Sequence, residues 1–556
     1  MRKLQTFDMA IDAPPAQIVT AHRIHTLDTD VPVAEAMLIS QGRLLLVGSL
    51  DECEAFAADR FTTVDRQHLD GVVLPGFIDA HAHPLMYGQL MTWVDCGPQR
   101  AGSIPEIVAL LSDAARSLPA GLPVRGFGYE HRNLAEKRHP TRSELDQVAD
   151  DREVYLMNAS GHGGVVNTYT LEINGVTKET PNPEGGEFFR DDAGEMTGEI
   201  SDAACNILTG VHGVKVGHHG PNFHLEDAPE EHVRQLRLAQ DSFLAGGVTA
   251  IGDAQVSKRE FDMYLRLAEQ QQLDVRVSMY FLSHLLEDAI ETGMHGQFGN
   301  AFLSFAGIKL YADGTLGGWT AYFPDGYVGD PCRTGQLYHE PEEYTALIKR
   351  AHSVGLQTAT HAQSPDAIEM VISALEQALG ESPDPDARHR IEHCGLPTQD
   401  QIARMARAGI RPVNQPQHYY NWGEGVTDAI GTPGERFNPL GEFVAAGVPV
   451  TISSDAPVAE PRPLEAIQVS VSRATRLGHV LGDESLKISV ETAIAAHTMN
   501  AATTLGREDD LGSLTTGKRA DFVVLSEDPF RTDPDDISRI RVRQTWVDGV
   551  RRFLLV

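Results

Sequence analysis

Cysteine, positive charge and long apolar runs are what this sequence is short of. It has only five cysteines in 556 residues, and Cys53, Cys96, Cys205, Cys332 and Cys394 are scattered, with no CxxC pair. That odd, dispersed set excludes a disulfide framework or a cysteine zinc knuckle and fits reduced thiols in a cytoplasm. Lys and Arg number 46 against 78 Asp and Glu, a formal net charge of -32. Such an excess argues against nucleic acid or an anionic membrane as partner, since phosphate neutralisation needs a basic face. No window approaches the roughly 18 apolar residues that cross a bilayer. In the first 30 residues Asp8, Asp12, Pro14 and Pro15 interrupt any apolar core, so no secretory signal is expected. The expectation is a cytoplasmic protein with a small-molecule partner. What remains is ordinary globular composition, 41% hydrophobic and 22% charged, long enough for a large domain and a smaller one.

The two ends share a character distinct from the middle. AQIVTAHRIHTLD and AMLISQGRLLLVGSL near the start, and RADFVVLSEDPF and IRVRQTWVDGVRRF near the end, are short strand-like runs broken by turn residues. They predict one small antiparallel β unit built from residues 1–71 and 500–556. Between them, over 72–499, buried strands alternate with helical stretches. The strands are 72–83, 248–254, 275–281, 305–314, 356–362, 390–394, 410–416 and 448–455. Near-continuous apolar strands with interleaved helices predict the α/β class, and eight of them a (β/α)8 TIM-like barrel. Residues from about 85 to 240 break the alternation and carry their own strands. They are expected to form a long insertion after the first barrel strand, covering the barrel mouth.

Catalytic groups of a barrel sit at the C-terminal ends of its strands. Strand one ends in His81-Ala82-His83, strand five in His361, strand six in His393 and strand eight in Asp455. Strand four carries Lys309, with Tyr311 and Asp313 in the same phase. Taken singly, each has a bland explanation. A histidine at a strand end is usually solvated, Asp455 in SSDAPV would cap a turn, and Lys309 could snorkel outward. Their coincidence at the ends of independently assigned strands points to a metal site. Imidazole and carboxylate without thiolate suit Zn, Fe, Mn, Ni or Co, with zinc the default for hydrolysis. Asp455 would take a proton from water and return it to a leaving nitrogen. Lysine fits beside a metal only as a neutral amine or as a carbamate bridging two metals.

VVLPGFIDAHAHP, His361, RIEH at 390–393, SSDAP and AAHTMNAATTLGREDDLGSLTTGKRADFVVL together resemble the amidohydrolase superfamily over nearly the whole chain. GIKLYADGTLGGWTA, SGHGGVVNT and TPNPEGGEFFRDDAGEMTGE resemble the branch containing N-substituted formamide deformylases. The resemblance implies a composite β-sandwich at the termini and a homodimer. It implies His81 and His83 on the more buried metal, Lys309 as a carboxylated bridge, and His361 and His393 on a second metal. Asp455 would be both ligand and general base, and His162 would polarise the substrate carbonyl. Ser160, Tyr129, Glu130 and Trp319 stand where the branch has other residues. Tyr129, Tyr311 and Trp319, with Tyr419, Tyr420 and Trp422 nearby, imply an aryl-bearing substrate. The expected activity is hydrolysis of an amide-type C–N bond. An esterase or carbamate hydrolase, a Schiff-base lyase using Lys309, and a non-catalytic barrel are the alternatives.

Overall fold

Eight parallel strands in a single hydrogen-bonded order form the centre of the molecule: β1 (Phe77–Ala82), β2 (Val248–Val256), β3 (Arg276–Leu282), β4 (Leu303–Tyr311), β5 (Gln357–Ala362), β6 (Arg390–His393), β7 (Arg411–Asn414) and β8 (Thr451–Ile452). The computed structural model describes residues 16–119, 121–183, 185–209, 225 and 227–555. The segment 1–15, part of the N-terminal stretch read for a secretory signal, lies outside the described residues. The sheet is nearly closed and fits a TIM-like barrel. At the mouth, Asp455 N–H donates to His81 O at 2.9 Å and His83 N–H to Ala456 O at 2.8 Å, stitching the end of β8 to the end of β1.

Apolar side chains account for the closure. Ile78, Ala80, Ala250, Tyr280, Ala306, Ala359 and Val413 point inward from six of the strands and pack with Leu505 and Leu511 into a plug. Small residues dominate it, as a narrow interior requires. The opposite faces of the strands bury Phe243, Leu267, Ile348, Val371 and Phe443 of the surrounding helices. Local signals start those helices promptly after each strand. Past β5, Ser364 Oγ accepts Ala367 N–H, and Pro365 occupies the first turn of helix Pro365–Glu381. His361 is thereby left at the rim.

The run read as one strand over 72–83 is divided at Gly76. Val64–Pro75 belongs to a different, seven-stranded sheet, and only Phe77–Ala82 enters the barrel. A side chain at Gly76 would meet Thr249 Oγ1 at 2.3 Å, so the chain can pass between the two sheets only as glycine. The seven-stranded sheet takes Ala16–His25, Val33–Ser40, Arg43–Gly48 and Val64–Pro75 from the start of the chain. It takes Phe522–Leu525, Val542–Val547 and Val550–Leu554 from the end. The described terminal strands thus share one hydrogen-bonded order. A second, six-stranded sheet lies wholly within the segment read as an insertion, from Val94–Asp95 to Met196–Asp202. No helix among the described residues is long and apolar enough to cross a membrane.

Arg276, fully buried at the start of β3, joins the barrel to the terminal sheet. Its guanidinium grips Asp521 in a two-pronged pair at 2.6 and 2.8 Å and also reaches Asp548. Removing one member of such a buried group strands the others. Arg276→Met is therefore expected to lose about 3–5 kcal/mol of unfolding free energy, read from a urea titration. A loss below about 1 kcal/mol, the level of an exposed pair, would show that the junction does not depend on this arginine.

Candidate metal centre

His81, His83, Lys309, Tyr311, His361, His393, Asp455 and His162 all line one small cavity at the C-terminal mouth of the barrel. The structure thus brings together every residue expected to hold metal, from β1, β4, β5, β6 and the turn after β8. All six of those are buried. Asp455 lies at their centre, with Oδ1 3.0 Å from His83 Nε2 and 3.3 Å from His81 Nε2. The other oxygen, Oδ2, lies 3.5 Å from Nε2 of His418 and 3.9 Å from Nδ1 of His393.

Alternation along β6 does not by itself put His393 here. Arg390 and Glu392 point into the barrel and reach Ala80 and His81 of β1, which is not a neighbouring strand. Ile391 packs outward among the helices. His393 shares the phase of Ile391, but left-handed backbone at His393 (φ 65°) and Cys394 (φ 44°) breaks the alternation. Its imidazole swings back into the cavity. Asp455 is held in the same region of backbone space (φ 58°). Such conformations cost roughly 1–3 kcal/mol each and persist where the surroundings impose them.

Most of the imidazoles have one nitrogen engaged and the other turned to the cavity. His81 Nδ1 meets Glu392, His393 Nδ1 lies 2.7 Å from Gln415 Oε1, and His361 Nε2 lies 2.9 Å from Gly314 O. This is how a metal-ligating histidine is normally held, because the outer acceptor fixes the tautomer and leaves a lone pair inward. The test of fit lies in the leftover atoms. Nε2 of His81 and Nε2 of His418 are buried without a hydrogen-bond partner. The sets His81, His83, Asp455 and His393, His418, Asp455 each bring one ligand atom per residue within 4.8 Å of the others. These donors fit a divalent cation. His361 stands outside both sets, its ring centroid 4.4 Å from that of His393.

Burial lowers His83 and His418 to about 4 and His361 and His393 well below the ordinary histidine value, so these rings are neutral bases ready to ligate. Burial also works to raise Asp455, yet the surrounding His81, His83 and His393 hold it well below the usual carboxylate range. Lys309 is pulled down to about 8 by burial, opposed only in part by Glu392 and Asp455. Its Nζ lies 4.8 Å from the centroid of the Tyr311 ring.

His162 reaches the cavity from the six-stranded sheet region, with Nδ1 2.9 Å from Oδ1 of buried Asp202. Trp319 does not line the metal cavity but a larger chamber that shares Ser160 and His162 with it. Tyr129 is brought to neither, which corrects its expected place against substrate. It is fully buried in the insertion core, its hydroxyl 2.7 Å from His139 Nδ1. Asp313 also turns away and accepts N–H bonds from Gln363, Ser364 and Tyr322. Sequence reasoning missed His418, in the first turn of helix Pro416–Ile430 just past β7. It also missed the outer partners Glu392, Gln415 and Asp202. The available signal for His418 was a histidine directly after a barrel strand and a helix-starting proline.

Residues 70–553 match the model of the amidohydrolase family. The chain is 30% identical over 545 residues to an N-substituted formamide deformylase of Arthrobacter pascens, covering 95% of this chain and 97% of that one. It is 26% identical to the putative amidohydrolase YtcJ of Bacillus subtilis, with 95% and 97% covered. In fold it is similar to an uncharacterized metal-dependent hydrolase from Pyrococcus horikoshii, with TM-score 0.75 and 23% identity over 93% of this chain and 99% of the other. On the match across residues 70–553 and the full-length relative, the chain belongs to the amidohydrolase family and is a hydrolase acting on carbon–nitrogen bonds.

Proposed function

We propose that this protein hydrolyses an N-acyl, N-formyl or cyclic amide by a divalent-metal mechanism, with Asp455 as general base and then general acid. The observation that carries this reading is the convergence of His81, His83, Lys309, His361, His393, His418 and Asp455 on a cavity of only about 30 Å³, room for ions and a water. Zinc suits the imidazole and carboxylate donors. His81, His83, His393, His418 and Asp455 would hold such an ion, which would supply Lewis acidity and lower the pKa of water to about 7.

The chain's own groups do the rest. Asp455, anionic and central, takes the proton of the attacking water on a carboxylate oxygen and delivers it to the departing nitrogen. His162, oriented by the contact of its Nδ1 with Asp202, polarises the carbonyl oxygen as charge develops there. Lys309 is the one cationic residue type among the ligands. As a neutral amine it can add carbon dioxide, releasing a proton and forming a carbamate, which would turn a cation-repelling group into an anionic oxygen donor. The termini, 1–71 with 500–556, form a supporting domain in this reading. The buried free thiols Cys53, Cys96, Cys205 and Cys394 suit a cytoplasmic enzyme.

Elemental analysis should find one or two zinc ions per chain, two if Lys309 is carboxylated. Removal with a chelator should abolish turnover across a panel of N-formyl, N-acyl and cyclic amides, carbamates and esters. Turnover that survives complete metal removal, with borohydride trapping substrate on Lys309, would instead establish the Schiff-base alternative. Asp455→Asn is expected to keep metal and lose about 10²–10⁴-fold in kcat; near-natural rates would remove Asp455 from the proton path. Lys309→Ala should lower metal occupancy, with short carboxylic acids restoring it. Unchanged metal content would rule out a bridging lysine.

A further inference from the structure

Beyond His162 lies a chamber that the metal chemistry does not use. Its volume is about 230 Å³, against about 30 Å³ for the metal cavity, and Ser160 and His162 line both. One wall is the loop Gly317–Trp319 that follows β4. A Cβ placed on Gly318 would lie 3.9 Å from Ser160 Oγ, so the loop abuts the passage between the two spaces.

Guanidinium groups pin this loop. Arg132 Nη2 donates to Gly317 O at 3.0 Å, Arg333 Nη2 to Gly318 O at 2.8 Å, and Arg333 Nε to Trp319 O at 3.1 Å. Both guanidinium carbons lie 5.7–5.9 Å from the centroid of the Trp319 ring, and Tyr327 stacks on it at 5.3 Å. Trp319 holds a left-handed backbone (φ 58°), unfavourable for a bulky residue unless imposed. The indole is thus a fixed planar surface rather than a mobile flap.

The charges of the chamber do not balance. Glu130 is taken by Arg132, whose Nε lies 3.1 Å away. Lys137 Nζ donates to Arg132 O at 2.6 Å. Glu199 faces His139 Nε2 at 3.6 Å, and burial pushes its carboxyl up to about 7 against the opposing pull of Arg333. Burial also lowers His131 and brings His139 down to about 3, so His139 adds no charge. Arg333 spends two nitrogens on carbonyls and makes no ion pair within 4 Å among the described residues, although its charge is felt by Glu199. Its third nitrogen, Nη1, remains for a ligand. A cationic pocket of this kind is conspicuous in a chain of net charge -32.

We infer that this chamber binds the end of the substrate remote from the scissile bond, and that this end is a planar group bearing a carboxylate, the ring against Trp319 and the carboxylate on Arg333. A guanidinium fixed by carbonyls loses little freedom on gripping a carboxylate, and charge-assisted bonds of this type are the strong ones. The inference rests on the hydrolase reading only for which bond is cut; the recognition stands separately.

The test uses the metal-loaded protein and two probes of one shape, 4-aminobenzoate and 4-aminobenzamide, with binding followed by calorimetry. The carboxylate should bind roughly 10- to 100-fold more tightly. Arg333→Met should bring the ratio close to one, and Arg333→Lys should keep part of it. A ratio near one in the natural protein overturns the inference. So does a ratio that Arg333→Met leaves intact, because the carboxylate would then sit on the metal. The corresponding N-formyl pair should show the same preference in kcat/KM, mainly through KM. If no amide is turned over, the hydrolase reading fails, while the binding ratio still decides the recognition. Arg333 is exposed, so its variants are not expected to unfold the chain.

Discussion

A buried carboxylate that no lysine or arginine neutralises directly sets the terms for the barrel mouth. Asp455 is taken out of water at large cost unless its surroundings answer its charge. The nearest groups are nitrogens of His81, His83, His393 and His418, at 3.0–3.9 Å. Burial makes His83, His393 and His418 weak bases toward protons. Neutral imidazoles around an anion are poorly matched to one another, but they are well matched to a cation placed among them. The same desolvation that would make the empty arrangement expensive strengthens its attraction for a divalent ion.

Orientation is enforced from outside the cavity. Arg390 and Glu392 are fully buried and paired at 2.7 Å, and Glu392 passes that order to His81 across the barrel. Arg390 also donates to Ala80 O, so β6 fixes both the backbone of β1 and the His81 ring. Arg390 and His81 hold Glu392 well below the ordinary carboxylate range against the opposing effect of burial. The carboxylate therefore stays an acceptor for His81 Nδ1. Gln415 and Gly314 O do the same work for His393 and His361 without charge.

Much of this was legible in the sequence because strands impose a short period and a barrel forces their ends together. His81 with His83 and His361 needed only correct strand assignment to be gathered, whereas His393 and Asp455 also needed the left-handed backbone that turns them inward. The strand read over 72–83 was partly misassigned, because continuous apolar character cannot show that Gly76 lets the chain change sheets. His418 was missed because the reading stopped at strand ends, while this ligand type sits one turn into the next helix. Tyr129 was misplaced for a different reason. An aromatic residue beside polar ones suggests a pocket wall, yet here the ring belongs to a core and only its hydroxyl faces a polar partner, His139. Asp202 had no periodic signal at all, since its pairing with His162 spans 40 residues of the insertion.

The seven-stranded sheet has a consequence for how the protein is made. Val64–Pro75 pairs on one side with Ala16–His25 and on the other with Phe522–Leu525. A ribosome supplies the first neighbour early and the second only after the whole barrel has emerged. Until then the strand offers an open apolar edge of the kind that recruits other chains. The side chains that clamp Arg276 are also encoded at the far end, at Asp521 and Asp548. Nascent chains cut short before that point carry every histidine and carboxylate of the cavity but leave this edge bare. The last few dozen residues, which put no side chain into the metal cavity, are those that cover this edge.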